Sequence, residues 1–354
     1  MMDKKYKFLF YCAEIYALSI LRPLQDEIRA RGWETAWYFE HCSAGADHLN
    51  TEEQLLKDIK AAQSYQPDAV FVPGNVVPDF IPGLKIQVFH GLANDSTGKK
   101  GHFRIRGFFD LYCTHSRKST EIFKQLAKKH PHFSVVETGW PKVDPLFKKT
   151  DPDDLKKALN ITRPVVLYAS TFSPSLTSAS ALHETVKKLS STGRWHWFVT
   201  LHPKMPAAIV NLYRKLDGPH LTFFENSRDI IPLLKAADVM LCDTSSIALE
   251  FLLLDKPVVS FCTKVTGPHC LDVRSPDKIE AAIETALKKP EAKLPAMTAF
   301  INQWHPYRDG QSSKRVLDAA ENLLRNGAKG LRPKPFNLWR KIKLRYRLGY
   351  YKLH

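Results

Sequence analysis

The sequence predicts an α/β protein made of two facing Rossmann-like domains with parallel sheets, and three observations predict it. Short apolar runs of strand character alternate with segments of helical apolar spacing along most of the chain, the pattern of a doubly wound, mostly parallel sheet. The alternation breaks at a polar stretch carrying Pro145 and Pro152, then starts again. The length of 354 residues exceeds an ordinary single domain. In such folds the ligand is expected in the cleft at the carboxyl ends of the strands.

The first cycle opens with an alternating strand over 6–11. A helix over 16–31 follows, with Leu18, Leu21, Leu24 and Ile28 on one face and Gly32 as its stop. A strand over 35–39 comes next. The segment 51–65 is expected as one helix, because Thr51 stands three residues before Gln54 in the manner of a capping box. Strands are expected at 69–72, 85–89, 109–114 and 134–136, with a helix at 118–129. Residues 144–154 read as the linker. The second cycle places strands at 165–169, 196–201, 221–223, 239–242 and 257–261, the last of its strands. Its helices are expected at 180–190, 206–216, 229–236 and 275–287, with a late one at 312–324. The resulting division is 1–146, 147–300, a closing segment 301–330 that returns toward the first domain, and a tail at 331–354.

Composition narrows the partners. An apolar content of 44% suits a globular protein, whereas a net charge of +16 implies an anionic partner. The six cysteines form no CxxC pair, which argues against a zinc ribbon or a disulfide framework and suits a reducing compartment. No apolar run approaches the roughly 20 residues needed to span a bilayer. The short apolar run at 8–11 reads as a strand rather than a signal peptide.

The candidates for chemistry stand at strand ends. Asp243-Thr244-Ser245-Ser246 is a polar turn between the strand 239–242 and an apolar helix start. Backbone N–H groups at a helix start and the positive end of its dipole suit a phosphate, and an ordinary N-cap gives the same residues. His90 ends the strand 85–89 and is followed by Gly91, which permits close approach. An imidazole there can take a hydroxyl proton near neutral pH, and a structural histidine is the other reading. The stretch that follows is basic, with Lys99, Lys100, His102, Arg104 and Arg106, either a solvated face or a loop that grips phosphate. His202-Pro203-Lys204 follows the strand 196–201, so each half has a histidine at a strand end. Thr171, after the strand 165–169, offers a hydroxyl to a donor, or a cap. Lys142, in the turn 138–144, is within reach of a phosphate, although a plain boundary turn explains it as well. Asp151-Pro152-Asp153 resembles a metal-binding DxD but sits in the linker, where acids suit a helix start, so no metal site is assigned. HExxH, GxSxG and Walker A motifs do not occur, which removes zinc protease, serine hydrolase and P-loop readings.

With these residues assembled, the chain resembles the CDP-glycerol glycerophosphotransferase family of teichoic-acid and capsule polyol-phosphate transferases. The likeness runs from about residue 71 to 324. It rests most on Asp243-Thr244-Ser245-Ser246, Glu250-Phe251 and Leu254-Asp255-Lys256-Pro257, which stand in the family's order. Gln87 to Gly91 resembles the motif around the family's proposed base, which falls on His90, and His202-Pro203 its second functional histidine. Gly139, Pro141 and Asp144 match the turn between its domains, and Asp309-Gly310 with Ser312-Ser313 its late helix cap. The chain departs from the pattern after Gly91, where Leu92-Ala93-Asn94-Asp95 replaces Thr-Pro. It departs also at Thr244 for an aromatic, Glu250 for Asp and Lys142 for Arg.

The resemblance implies the GT-B fold and a transferase that moves glycerol phosphate, or a related polyol phosphate, from a CDP-linked donor to a hydroxyl of a lipid-linked or polysaccharide acceptor. His90 and His202 are then catalytic. Asp243, Thr244, Ser245, Ser246, Glu250, Thr171 and Lys204 hold the donor, and Lys99, Lys100, Arg104 and Lys142 contact acceptor or phosphate. No cofactor is required and a divalent ion is optional. A GT-B glycosyltransferase, a UDP-sugar 2-epimerase and a non-catalytic membrane- or polymer-binding protein are the alternatives. The tail at 331–354 carries eight basic residues and no acidic one, half of the net charge, interleaved with aromatics. It is expected to dock on an anionic membrane, placing the protein peripherally on the inner face of the cell membrane, in the cytoplasm. A disordered tail or a nucleic-acid arm is the other reading of such a segment. No nucleic-acid partner is expected, since no RRM, HTH or zinc-finger pattern accompanies it.

Overall fold

The computed structural model describes residues 4–40, 45, 47–92, 101–225, 229–264, 266–288, 294–327 and 330–351. The chain forms two compact units, residues 1–147 with 303–354, and residues 148–302.

The first unit is built on β1 (Lys7–Cys12), α1 (Ala17–Ala30), β2 (Glu34–Phe39), α2 (Ile59–Ser64), β3 (Ala69–Val72), β4 (Leu84–Gln87), β5 (Leu111–Thr114), α3 (Arg117–Lys129) and β6 (Ser134–Glu137). All six strands are parallel, in the order β2-β1-β3-β4-β5-β6. Their near-continuous apolar sequences follow from burial on both faces. Phe8, Phe10, Trp37 and Phe71 pack together on the sheet, with Phe10 and Trp37 at 4.6 Å between ring centroids.

The second unit runs through α4 (Asp154–Ala158), β7 (Val165–Ser170), α5 (Ala179–Ser191), β8 (His196–Leu201), α6 (Ala207–Arg214), β9 (Leu221–Phe224), α7 (Ile231–Ala236), β10 (Val239–Cys242), α8 (Ile247–Leu252), β11 (Val258–Phe261), β12 (Leu271–Val273), α9 (Ile279–Leu287) and α10 (Leu294–Asn302). Its six strands are also parallel, in the order β12-β11-β10-β7-β8-β9. Tyr168, Trp197 and Tyr213 are fully buried in its core. The chain then returns to the first unit with α11 (Ser312–Asn326) and α12 (Leu338–Arg347). The helix α11 packs on α1, where Arg31 pairs with both Asp318 and Glu321.

Several elements differ from the sequence expectation, each for a local reason. The helix expected over 51–65 forms only as α2, capped by Asp58 accepting from the Ala61 N–H at 2.7 Å. The preceding residues pair instead with β2, through Trp37 N–H to Gln54 O and Leu56 N–H to Trp37 O, both 2.8 Å. Glu53 is drawn inward by Arg22, Gln25 and the Asn50 N–H, so no capping box starts at Thr51. The expected linker over 144–154 holds a 3-10 helix, Pro141–Phe147, and the start of α4. The last strand of the second unit is β12, three residues long and too short to show a periodicity. The helix α10 was not expected at all. The strand ends also shift, to Gln87 for β4 and to Leu111 for the start of β5.

The basic tail is folded onto the first unit rather than being a free arm. Leu344 and Tyr350 are buried, and Tyr350 stacks on Phe80 with ring centroids 3.8 Å apart. Arg345 pairs with Asp79, Arg347 with Glu40, and Lys334 with Asp110. The opposite face of α12 and its lead-in leave large apolar groups in solvent: Phe336 is 73% exposed, Trp339 82% and Tyr346 74%.

Candidate active site

In a doubly wound sheet the crevice for a ligand lies beyond the strand ends at the point where the winding reverses. In the first unit that point is between β1 and β3. The segments leaving β1, β3 and β4 meet there and bring Tyr16, Pro73 and His90 together. His90 Nδ1 lies 3.4 Å from the Pro73 carbonyl oxygen, and the Tyr16 ring centroid is 5.7 Å from that of His90. A carbonyl only accepts, so Nδ1 carries the proton and the basic lone pair of neutral His90 is on Nε2. Burial holds His90 below the ordinary histidine range; the bond to Pro73 opposes this and the Arg106 charge adds to it.

The residue that aims His90 is Phe89. Its φ of +58° is in the left-handed region, which costs a bulky residue about 1–2 kcal/mol. The strain is held by packing: the buried ring lies edge-on to His115 and Phe123, and the Phe89 carbonyl accepts from Trp140 Nε1 at 3.3 Å. Gly91 has no such requirement, since a Cβ there would meet nothing within 4 Å.

His102 comes to His90 from the segment that returns to β5. The two Nε2 atoms are 3.4 Å apart and the rings meet edge to face, 4.8 Å between centroids. Burial, then the His90 and Arg106 charges, push His102 down to about 4. His115 and His305 line the same side of the unit. Burial takes His115 down to about 3 and His305 to about 4. His305 Nε2 accepts from the Trp140 N–H at 2.9 Å, which makes it a support for the turn 138–144. Gly139 in that turn has φ +81°, and a Cβ would meet Ser312 Oγ at 2.5 Å and His305 Nε2 at 3.0 Å. The Asp144 carboxylate accepts from the Ser312 and Ser313 N–H groups, at 2.9 and 2.7 Å, and so caps α11. Lys142 is half-buried with its ammonium 5.1 Å from the Trp140 ring centroid. Arg104 is exposed two residues beyond His102. Lys99 and Lys100 lie outside the described residues.

In the second unit the winding reverses between β7 and β10, and Asp243 ties the two strand ends together. Its buried carboxylate accepts from Ser170 Oγ at 2.5 Å, the Thr171 N–H at 3.0 Å, the Ser178 N–H at 2.9 Å and Ser178 Oγ at 3.0 Å. Four donors occupy the carboxylate, so Asp243 shapes the crevice that the sequence had it line. Thr171 is held there by its backbone. Thr244 Oγ1 accepts from the Lys264 N–H at 3.1 Å and fixes the next turn. Ser245 is half-buried and Ser246 exposed at the start of α8; Ser246 has helical backbone angles and its side chain makes no capping bond. The ordinary N-cap is thus not the use of this hydroxyl. Glu250 lies one turn into α8 and is buried.

His202, after β8, is exposed and its ring lies tilted against Phe172, 4.3 Å between centroids. Its Nδ1 accepts from the Lys204 N–H at 3.0 Å, so in neutral His202 the Nε2 carries the proton and points outward as a donor. Burial and the Lys204 charge keep it below the ordinary range. Beside it opens a pocket of about 210 Å³ lined by Leu201, His202, Phe223, Arg214 and Glu225 among others. Among the described residues no group of three or more His, Cys, Asp or Glu side chains is placed to hold a metal ion.

The sequence left two of these features unmarked. His102 was one of several basic residues in a run, with no sign that it returns to His90. Phe89 gave no sign of a left-handed conformation, since glycine is the usual signal.

Two doubly wound parallel sheets, each with polar residues at its own switch point, define a protein of two Rossmann-like domains in the GT-B class. A family model described as CDP-glycerol:poly(glycerophosphate) glycerophosphotransferase matches residues 84–266, just over half of the chain, and the chain belongs to that family. Among curated proteins, it is 25% identical to the teichoic acid glycerol-phosphate primase of Bacillus subtilis (strain 168), over 62% of this chain and 60% of that protein. It is 22% identical to the teichoic acid poly(glycerol phosphate) polymerase of Bacillus spizizenii, over 70% of this chain and 73% of that protein. The chain thus spans about three fifths of the first of these relatives. In fold it is similar to the wall teichoic acid polymerase TagF, with TM-score 0.66 and 17% identity over 91% of this chain and 90% of that one. It is similar also to a putative UDP-N-acetylglucosamine 2-epimerase from Listeria monocytogenes, with TM-score 0.64 and 13% identity over 94% and 100% of the two chains.

Proposed function

We propose that the protein transfers glycerol phosphate, or a related polyol phosphate, from a CDP-linked donor to a hydroxyl of a lipid-linked or polysaccharide acceptor in cell-surface polymer synthesis, releasing CMP. The observation that carries this reading is His90. It stands beside Pro73 and Tyr16 within the family-matched stretch, with its proton held on Nδ1 and a basic Nε2 that only His102 faces, at 3.4 Å, among the described residues. In the reaction Nε2 takes the proton of the acceptor hydroxyl as its oxygen attacks the distal phosphorus of the donor, and the bond to CMP breaks.

On the second unit, the turn at Ser245 and Ser246, with the Nε2–H of His202, supplies the donors for the pyrophosphate, and Lys204 adds a nearby cation. Glu250 and Thr171 are assigned to hydroxyls of the donor. Lys142 and Arg104, with Lys99 and Lys100, are assigned to acceptor or phosphate. These groups carry the charge stabilisation, so no cofactor is required and a divalent ion is optional. The exposed aromatic and basic face of α12 is assigned to an anionic membrane, which a lipid-linked acceptor would require and which places the protein on the inner face of the cell membrane. Among the described residues no helix is long and apolar enough to cross a membrane.

The test is a donor panel of CDP-glycerol, CDP-ribitol and UDP-sugars, read by nucleotide release. CMP release that needs His90, and is lost in His90→Ala while donor binding persists, is the expected result. UDP release would assign the chain to a nucleotide-sugar enzyme. No release from any donor would leave a binding protein on this fold.

A further inference from the structure

We infer that His102 is a positioning residue for His90: its imidazole occupies the reactive nitrogen of the base until an acceptor hydroxyl takes its place. This rests on the reading of His90 as the base.

The argument is one of proton inventory. His90 Nδ1 faces a carbonyl oxygen, so it donates and Nε2 is left with a lone pair. His102 Nε2 faces that lone pair at 3.4 Å, and one of two apposed ring nitrogens must donate. His102 therefore carries its proton on Nε2 and gives it to His90. Its own Nδ1 is then a bare acceptor, and that atom is buried with no hydrogen-bond partner among the described residues.

The length of 3.4 Å makes this a weak bond, readily exchanged for a shorter one from a hydroxyl. While it lasts, two consequences follow. Water cannot use His90 as a base, which protects an activated donor from hydrolysis. Protonation of His90 would either set one N–H against another or force the His102 proton onto its buried, unpartnered Nδ1, so the neutral form of His90 is favoured. Among the described residues, the other groups facing the pair are a phenol, a histidine and an arginine. Tyr16, with Glu14 near it, approaches from the segment after β1; His115 approaches from before α3; Arg106 lies on the His102 segment itself and adds positive charge. At its far end this segment is held by α12 and its lead-in. Asn337 Nδ2 donates to the Arg106 carbonyl at 2.7 Å, and Lys334 pairs with Asp110. His102 is thus presented by a strand-to-strand connection whose far end is held by the tail.

The test is NMR of the histidine ring nitrogens in the full chain, which needs no substrate and so is independent of the donor panel. In the wild type, His90 is expected as the Nδ1–H tautomer and His102 as the Nε2–H tautomer. In His102→Ala the His90 titration is expected to move up by about one unit, because water reaches Nε2 and the opposing N–H is gone. His102→Gln, whose amide can donate to the same lone pair, is expected to keep the wild-type value. An Nε2–H tautomer for His90 would overturn the inference without any variant having to fold. So would an unmoved titration in His102→Ala, or a His102→Gln variant that behaves like the alanine one. With a working donor, His102→Ala is also expected to release CMP faster than wild type when no acceptor is present; an unchanged rate counts against the protective role.

Discussion

Replacing Asp243 by Asn keeps its shape and removes its charge, and the consequence can be worked from its four contacts. Ser170 Oγ, the Thr171 N–H, the Ser178 N–H and Ser178 Oγ all donate to this carboxylate. The two hydroxyls can rotate and accept from a new amide group. The two N–H groups cannot. Oδ2 accepts the Ser178 N–H and also lies 3.3 Å from the Thr171 N–H, so the better amide orientation keeps oxygen there and leaves the half-buried Thr171 N–H with that longer bond and an NH2 facing it. The lost charge and a weakened bond to a half-buried donor together cost about 1–2 kcal/mol. Asp243→Ala leaves both N–H groups unmet, while the two hydroxyls keep Tyr168, Thr177 and the Thr171 carbonyl as partners, and costs more, roughly 4 kcal/mol. Hydrogen exchange at the Thr171 and Ser178 amides measures this where it acts, and urea unfolding measures the total. The Thr171 amide is expected to lose protection in Asp243→Asn, with weaker binding of a CDP-linked donor. A variant within about 0.5 kcal/mol of wild type, with both amides still protected, would refute the view that Asp243 holds this crevice together.

Two further outcomes are expected. Burial takes His102 and His305 down to about 4 and His115 to about 3, all below the ordinary histidine value of 6.5. Between those values the unfolded chain binds more protons, so the stability these neutral histidines contribute is complete above about pH 6.5 and is lost as pH falls toward 4. Urea midpoints measured through this window should decline, and His115→Gln should flatten the decline; a midpoint independent of pH would contradict the burial argument. On the tail, changing Phe336, Trp339 and Tyr346 to Ser alters the exposed face and leaves Leu344 and Tyr350 in place. Sedimentation with anionic vesicles should drop markedly while the thermal transition stays put; equal sedimentation would remove the membrane assignment.

Much of the fold was legible because buried parallel strands are apolar on both faces. The run Val239 to Cys242 and the run Val165 to Ser170 could be little else. What was illegible depended on partners distant in sequence. Thr51 and Gln54 satisfy a local capping rule, but the edge of β2 captures 54–56 and overrides it. At the site, His90 and His202 were legible as polar residues at strand ends. The tautomer of each was not, because Pro73 O and the Lys204 N–H decide it. Asp243 was legible as a polar turn residue, but its four donors belong to the end of β7 and the start of α5, 65 to 73 residues earlier. The tail was legible in charge and not in docking, since Asp79, Glu40 and Asp110 that receive it are scattered through the first unit.

The family match covers residues 84–266. It begins at Leu84, the first residue of β4, and so takes in His90 but neither Tyr16 nor Pro73. Pro73 orients His90 through its backbone carbonyl, which any residue at that place would supply. The orientation of His90 can therefore be kept by a segment whose sequence has changed, provided β3 keeps its register beside β4, as the pairing of Val72 with Gln87 ensures. The donor side obeys a different constraint. Asp243 acts through its side chain, and no backbone group could replace a carboxylate that accepts four bonds. Sequence resemblance is accordingly expected to persist where a side chain is the working part, and to fade where a carbonyl or an N–H does the same work.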